Sequence, residues 1–233
     1  CLYINFRRID HNEESLREET YTGDGASGLY LHGAQIEAGS FPLSRIATVA
    51  SSAARTADSL VMTGANFSSW WNAGAGTMIV HAISPGIGSR VVWQVDDGTA
   101  NNWLQIWTSG TVAKASVVVG GSTVADLALG TIVPDEVFGV AFAFAANDFA
   151  ASMNGAAVVT DTAGALPTVN RSLIGSNLAG NHLCGHVARL RAFPSRLSND
   201  FLQGQSVVFP NTPAGRIASF QTSALAGREL ALI

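Results

Sequence analysis

The stretch best suited to ligand chemistry is WQVDDGTANNWLQIW, residues 93–107, in which tryptophans flank a run of polar side chains. In an extended strand, Trp103, Gln105 and Trp107 point to one face, because side chains alternate along a strand. Indole rings stack on sugar rings while amides and carboxylates bond hydroxyls. The predicted glycan-binding residues are Trp103, Trp107, Gln105, Asn101, Asn102 and Asp97.

An alternative interpretation needs no ligand. In it Trp70, Trp93 and Trp107 pack in the core, and Asp97-Gly98 is only a turn. The two interpretations differ most at Trp103, whose neighbours in the sequence are polar. We expect this side chain to lie exposed at the mouth of the concave sheet if the glycan interpretation holds.

Carboxylates are too sparse to predict an enzyme. A glycosidase needs two of them about 5 to 9 Å apart across the scissile bond. Between Glu37 and Glu229 the only glutamate is Glu136, and the adjacent Asp96 and Asp97 would face opposite sides of a strand. Serine-hydrolase and phosphate-loop spacings are also missing from the sequence. The prediction is a protein without catalytic residues and without a cofactor.

Metal binding is considered at HLCGH, where His182, Cys184 and His186 alternate and are all ligand types. On a straight strand, side chains two residues apart lie about 7 Å from each other, too far to share one tetrahedral ion. Asp96, Asp97 and Asp148 do not form a dense acidic loop of the kind that holds calcium. No metal site is predicted.

Short segments rich in β-branched and aromatic residues, separated by turn residues, predict an antiparallel sandwich or barrel. The predicted strands are 59–62, 77–83, 90–96, 103–108, 113–119, 137–143, 149–153, 156–160, 171–174 and 185–193. Asn154-Gly155 predicts a type I′ hairpin turn. The segment GGSTVADLALG, residues 120–130, is interpreted as a turn, and Ser198–Gln203 as a helix with Ser198 at its N-cap.

Composition excludes several classes of partner. Hydrophobic residues make up 47% and charged residues 13%, and 13 basic residues against 17 acidic ones give a net charge of -4. We therefore expect no nucleic-acid binding. No apolar run approaches the ~18 residues of a membrane span. The two cysteines, Cys1 and Cys184, are predicted to be free thiols, which fits synthesis in a reducing cytoplasm. The strand-like LYINF directly after Cys1 is interpreted as the interior of a longer polypeptide.

Two later stretches resemble a known family. ASMNGAAVV, followed about thirty residues later by LCGHVARLRAFPSRLSNDFLQG, resembles the closing part of laminin-G-like, or concanavalin A-like, jelly-roll domains. In that family a glycine opens a core strand, and a Leu-Ser segment leads into a short helix. Gly185, Leu190, Leu197 and Ser198 take those places here. The resemblance implies an all-β antiparallel jelly-roll β-sandwich.

An earlier stretch, GLYLHGAQIEAGSFPLSRIATVASSAARTADSL (residues 28–60), resembles bacteriophage tail and tail-fibre proteins. There an upstream jelly-roll-like module ends and a linker of small residues leads into a laminin-G-like domain. His32 stands where those sequences often carry Trp, and Arg45-Ile46-Ala47 replaces their Tyr-Ile-Pro. The resemblance implies an upstream module and linker at 1–45, a sandwich at 46–205 and a C-terminal extension at 206–233.

What this resemblance implies about function is a non-catalytic virion protein of the tail-fibre or tailspike type, made in the host cytoplasm. By analogy with such appendages it would be a homotrimer that contacts other virion proteins and binds a glycan on the host surface. The alternatives are a purely architectural virion protein with no ligand and, less favoured, a glycan-degrading enzyme.

Overall fold

Alternation of apolar and polar residues produces two antiparallel sheets with a shared core. The computed structural model describes Ser51 and residues 59–208. The predicted upstream module at 1–45 and the boundary near residue 46 lie outside these residues, and so does the predicted extension at 206–233 from residue 209 onwards. Within them, eleven strands and two helices follow one another. No helix in this described part is long and apolar enough to cross a membrane.

The first sheet has six strands, arranged in space as β1, β10, β3, β4, β5 and β6. Their bounds are β1 Leu60–Thr63, β10 Arg171–Ile174, β3 Ser89–Asp96, β4 Trp103–Ser109, β5 Val112–Val119 and β6 Ser122–Thr131. The second sheet has five strands in the order β11, β2, β7, β8 and β9. Their bounds are β11 His186–Phe193, β2 Ala75–Ile83, β7 Val137–Ala145, β8 Asp148–Met153 and β9 Val159–Asp161.

The core lies between the two sheets. Trp93, Leu104 and Ile106 enter it from the six-stranded sheet, and Val80 and Phe142 enter from the five-stranded sheet, all fully buried. Neighbouring strands run antiparallel in every pair of both sheets. The predicted all-β antiparallel jelly-roll sandwich is therefore confirmed.

One predicted turn proved to be mostly strand. Gly120 and Gly121 do turn the chain with positive φ angles of 58° and 80°. The strand β6 begins directly afterwards at Ser122, so the interpretation of the whole stretch 120–130 as a turn is wrong. The signal was present in Ala125 and Leu127, which alternate and are buried in the core. The short helix α1, Gly64–Ser68, was not predicted at all.

The hairpin turn and the C-terminal helix follow from local sequence. Asn154 and Gly155 have φ angles of 51° and 78°, as a type I′ turn requires. The helix α2 spans Asn199–Ser206, and the Ser198 hydroxyl accepts a hydrogen bond from the Phe201 N–H at 3.3 Å. This is the predicted N-cap, with the helix extending three residues further than expected.

Helix α2 covers the outer face of the five-stranded sheet, meaning the face turned away from the core. Leu202 is fully buried there and packs with Ile79, Ala141, Ala143, Ala150 and Phe193. The end of the helix comes very close to β7: a Cβ added to Gly139 would lie 2.3 Å from the Ser206 carbonyl oxygen. Only glycine allows this approach.

Replacing Gly139 by alanine is expected to destabilise the sandwich by about 1–3 kcal/mol, since backbone atoms must shift to admit the methyl group. Gly204→Ala is the matched control, because a Cβ at Gly204 in α2 meets nothing within 4 Å and alanine favours helix by ~1 kcal/mol. Urea unfolding of both variants should therefore give shifts of opposite sign. Equal stability of Gly139→Ala and the unchanged chain would contradict the close approach.

His81 is a buried group through which we expect stability to depend on pH. Its Nε2 lies 3.1 Å from the Gln205 carbonyl oxygen in α2. Burial lowers the pKa of His81 below its ordinary value of 6.5, and it is the largest effect. The hydrogen bond to Gln205 raises this pKa, whereas the positive charge of Arg189 lowers it. The folded protein thus keeps this ring neutral while the unfolded chain binds the proton more readily.

We expect the contribution of a neutral His81 to be complete above about pH 6.5 and to be lost as the pH falls below that value towards the folded pKa. Urea unfolding between pH 8 and pH 5 measures this loss. His81→Gln, whose amide can still donate to Gln205, should lose less stability over the same range. An identical pH dependence in both proteins would show that His81 carries none of it.

Candidate functional site

Strand β4 places the predicted aromatic residues on the outer face of the six-stranded sheet. Leu104 and Ile106 point into the core, so Trp103, Gln105 and Trp107 point outwards. Both tryptophans are partly exposed. Their Cα atoms are about 13 Å apart, from four steps of roughly 3.3 Å. The face between them is the candidate site.

Adjacent strands add polar side chains to this face. In the register of β3 with β4, Asp96 lies opposite Trp103 and Gln94 opposite Gln105. On the other side, β5 places Ser116 opposite Gln105 and Lys114 opposite Trp107. The next strands add Arg171 opposite Asp96 and Asp126 opposite Ser116.

Asp96 is fully buried and satisfied within the protein. It accepts hydrogen bonds from Arg171 Nε at 2.5 Å, from Gln94 Nε2 at 2.6 Å and from the Gly98 N–H at 2.8 Å. These donors compensate a charge that would otherwise be very costly to bury. Arg171 Nη2 is also buried and has no hydrogen-bond partner among the described residues. Asp96 therefore positions strands and the following loop, with little capacity left for a ligand.

The loop residues of the predicted site hold each other. One carboxylate oxygen of Asp97 accepts from the Thr99 N–H at 2.8 Å and the Thr99 hydroxyl at 2.6 Å, and the other accepts from Asn102 Nδ2 at 2.8 Å. Asn102 Oδ1 accepts from the Gly120 N–H at 3.0 Å. The hydrogen bonds that Asp97 accepts lower its pKa below 3.8; the bond from the Thr99 hydroxyl has the largest effect, and the bond from Asn102 the next largest. Asp97 and Asn102 thus connect two loops.

Trp103 and Asn101 offer ligand-binding surface beside this loop. The indole N–H of Trp103 donates to the Ala100 carbonyl oxygen at 3.1 Å, which fixes the ring. With that donor used, Trp103 can act only as an apolar stacking platform. Asn101 is exposed, and within the described part of the chain its side-chain amide has no hydrogen-bond partner.

Trp107 belongs to a closed circuit of polar contacts across three strands. Its indole N–H donates to Ser116 Oγ at 2.8 Å, and that hydroxyl donates to Asp126 Oδ1 at 2.6 Å. Lys114 Nζ donates to Asp126 Oδ2 at 2.7 Å and lies 5.6 Å from the centroid of the Trp107 ring. One face of this ring therefore carries an ammonium group, which leaves Trp103 as the better stacking platform.

The Asp126 carboxylate is the exposed anion of this circuit. Burial alone would raise its pKa, but hydrogen bonds from Lys114 and Ser116 and the Lys114 charge outweigh burial and lower the pKa below 3.8. Its side chain keeps 41% of its surface exposed. Asp126 thus stays ionised at neutral pH and can meet a ligand.

Gln105 lies between the tryptophans but is 5% exposed, and Gln94 beside it is 2% exposed. The Gln105 side-chain oxygen accepts a long hydrogen bond of 3.4 Å from Asn177, in the loop after β10. Sequence reasoning missed Asn177, Arg171, Lys114, Ser116 and Asp126. Only the polar residues of β5 and β6, which interrupt apolar strands, gave a local signal for them.

The alternative interpretation is right for Trp93 and wrong for Trp107. Trp93 is fully buried, and its N–H donates to Ser172 Oγ at 3.0 Å. Trp70 packs against the same core. Trp107 instead lies on the outer face. The aromatic residues of the 93–107 stretch therefore divide between core and surface.

The HLCGH stretch does not form a straight strand. Cys184 has a φ of 52°, and β11 begins only at His186. The assumption that the three side chains share one strand face is wrong. Cys184 is a free thiol whose Sγ accepts a hydrogen bond from Arg90 Nη1 at 3.4 Å. Among the described residues, no three His, Cys, Asp or Glu side chains converge as a metal site would need.

Comparison with known proteins supports the fold. No protein-family model and no curated protein matches the chain. The IT-sialidase CBM40 of Ruminococcus gnavus, solved with alpha2,3 sialyllactose, is 13% identical with a TM-score of 0.50, covering 58% of this chain and 84% of that one. The NanB sialidase of Streptococcus pneumoniae is 11% identical with a TM-score of 0.53, covering 65% of this chain and 27% of that one.

A leech intramolecular trans-sialidase is similar as well, at 14% identity and a TM-score of 0.50, covering 60% of this chain and 24% of that one. These likenesses show the fold: the chain contains an antiparallel jelly-roll β-sandwich. Nothing in them indicates a bacteriophage tail protein, so that part of the resemblance stays a prediction.

Replacing Asp96 by alanine should lower stability far more than replacing the adjacent Asp97. Asp96→Ala removes a buried carboxylate and leaves the Arg171 charge uncompensated, so we expect a loss of about 3–5 kcal/mol. Asp97→Ala removes loop contacts that are exposed or partly buried and leaves no buried charge uncompensated, so it should cost much less. Urea unfolding of the two variants measures the contrast. Equal losses would contradict the structural role given to Asp96.

Proposed function

We propose that this sandwich is a non-catalytic carbohydrate-binding module whose ligand lies on the outer face of the six-stranded sheet. The observation that carries the proposal is the position of Trp103. Its ring is held by the Ala100 bond and partly exposed. The exposed Asn101 lies two residues before it, and Asp97 is hydrogen-bonded to the neighbouring Asn102. An apolar platform surrounded by amides and a carboxylate is the arrangement that binds a sugar ring and its hydroxyls.

The fold supports this proposal independently of the residues. The similar R. gnavus module is described as bound to sialyllactose. Helix α2 covers the outer face of the five-stranded sheet in this chain. The partly exposed tryptophans lie on the outer face of the other sheet.

We propose a non-catalytic module because the carboxylates near Trp103 are either buried or ionised. Asp96 is fully buried and accepts three hydrogen bonds. The pKa values of Asp97 and Asp126 are lowered, whereas a general acid needs a raised one. A sugar bound at Trp103 would therefore be held without being cleaved.

In the wider setting, we infer that the module attaches a phage appendage of the tail-fibre or tailspike type to a host-surface glycan. The support is the resemblance of residues 28–60 to such proteins. The chain would then be a homotrimer in the virion, in contact with other virion proteins and made in the host cytoplasm. The oligomeric mass of the purified chain tests the trimer directly.

A second candidate, the architectural protein without a ligand, is favoured by one observation. Ile87 and Val133 are 50% and 57% exposed. They lie near each other, because Gly86 approaches Pro134. Exposed apolar residues at one end of a sandwich suit packing against a neighbouring protein.

Glycan-array binding by the full 233-residue chain decides between these functions. We expect the chain to bind glycans and Trp103→Ala to weaken that binding by at least about tenfold. The magnitude is taken by analogy from bases stacked on aromatic side chains, where one contact is worth about 1–3 kcal/mol. Val133→Ala is the control, an exposed apolar residue outside the proposed site. No binding by a folded chain would favour the architectural candidate.

A further inference from the structure

The charges on the candidate face are balanced within the protein, and this bears on the ligand. Arg171 pairs with Asp96 and Lys114 pairs with Asp126, so neither cation lacks a carboxylate. Asp97, in the loop beside Trp103, adds an anion that is held by uncharged donors only. The described residues of this face therefore carry a net negative charge.

The accessible anions lie next to the two tryptophans. Asp97 is joined to Asn102, the residue before Trp103. Asp126 is joined through Ser116 to the N–H of Trp107. An ionised carboxylate has about four acceptor positions, and Asp126 spends two of them on Ser116 and Lys114. The remaining positions suit donors, and sugar hydroxyls are donors.

We propose that the ligand is a neutral oligosaccharide, and that Asp97 and Asp126 discriminate against sugars that bear a carboxylate. Hydroxyls of a neutral sugar donate to these aspartates while its ring stacks on Trp103. A sialic or uronic acid places a second anion beside them without an unpaired cation to receive it. This inference rests on the proposed function and narrows its ligand class.

Arg171 does not offer a positive charge that could attract a carboxylate ligand to this face. Its Nε is bound to Asp96, and its unpartnered Nη2 is buried. The guanidinium carbon lies 4.0 Å from where a Cβ on Gly98 would be, so the loop lies over it. A ligand carboxylate would have to compete with the buried Asp96 for this cation, leaving one carboxylate uncompensated.

The test is an array in which each neutral glycan stands beside its sialylated form, with lactose and α2,3-sialyllactose among the pairs. We expect the full chain to prefer the neutral member by about fivefold or more at low salt, from like-charge repulsion at contact distance. The preference should shrink in 1 M salt, where the Debye length is about 3 Å. Preference arising from shape alone would not respond to salt in this way.

Two variants assign the effect to Asp126. In Asp126→Asn the Lys114 ammonium loses its counterion, so binding of the sialylated forms should rise to match or exceed the neutral ones. The double variant Asp126→Asn, Lys114→Met has the same net charge as the unchanged chain. Its binding of sialylated relative to neutral forms should lie between that of Asp126→Asn and that of the unchanged chain. Thermal unfolding of each variant checks that the sandwich remains folded.

The outcomes separate the two proposals. Tighter binding of sialylated forms by the unchanged chain, or a neutral preference that ignores both salt and Asp126→Asn, overturns the charge-based discrimination. Equal binding of both forms, lost in Trp103→Ala, also overturns it while leaving the carbohydrate-binding module in place. Failure of a folded chain to bind any glycan defeats both.

Discussion

The buried carboxylate of Asp96 is the interaction on which the candidate face depends. A charge with no exposed surface requires compensation inside the protein, and its donors come from three places: Arg171 in β10, Gln94 in β3 and the backbone of Gly98. Strands separated by 75 residues are thereby held side by side. The same carboxylate accepts from the Gly98 N–H in the loop that leads into Trp103, so an ion pair on the neighbouring strand positions the aromatic platform.

The two tryptophans show how identical side chains come to have different roles. Both use their N–H groups within the protein, Trp103 on Ala100 and Trp107 on Ser116. The Lys114 ammonium lies over the Trp107 ring, and its ion pair with Asp126 holds it there. An aromatic ring already facing an ammonium group has given up part of its surface. Polar partners on neighbouring strands, rather than the tryptophans themselves, decide which ring can stack on a ligand.

What could be predicted from the sequence is what depends on neighbouring residues. The alternation of apolar and polar residues predicted most strands, Asn154-Gly155 predicted the hairpin turn, and Ser198 predicted the helix N-cap. Each of these features is determined within a few residues. The grouping of Trp103, Gln105 and Trp107 on one face follows from the period of a strand. The circuit of Lys114, Ser116 and Asp126 could not be predicted, because it depends on the register of three strands and on two register shifts in the β5–β6 pairing. Cys184 was misplaced for a similar reason, since its positive φ has no local sequence signal.

The residues that determine this fold are different from the residues that determine which ligand it binds. A sandwich of this kind requires buried apolar residues on the inner faces of both sheets and cover on some of the outer surface. Those requirements determine which face stays open, and they are satisfied by many sequences. Ligand choice instead depends on a few outward-facing side chains that the core does not constrain. In this chain those side chains pair each cation with a carboxylate and leave anions beside the rings. The proposed preference of this chain for uncharged sugars is therefore compatible with a fold that it shares with a module described as bound to sialyllactose.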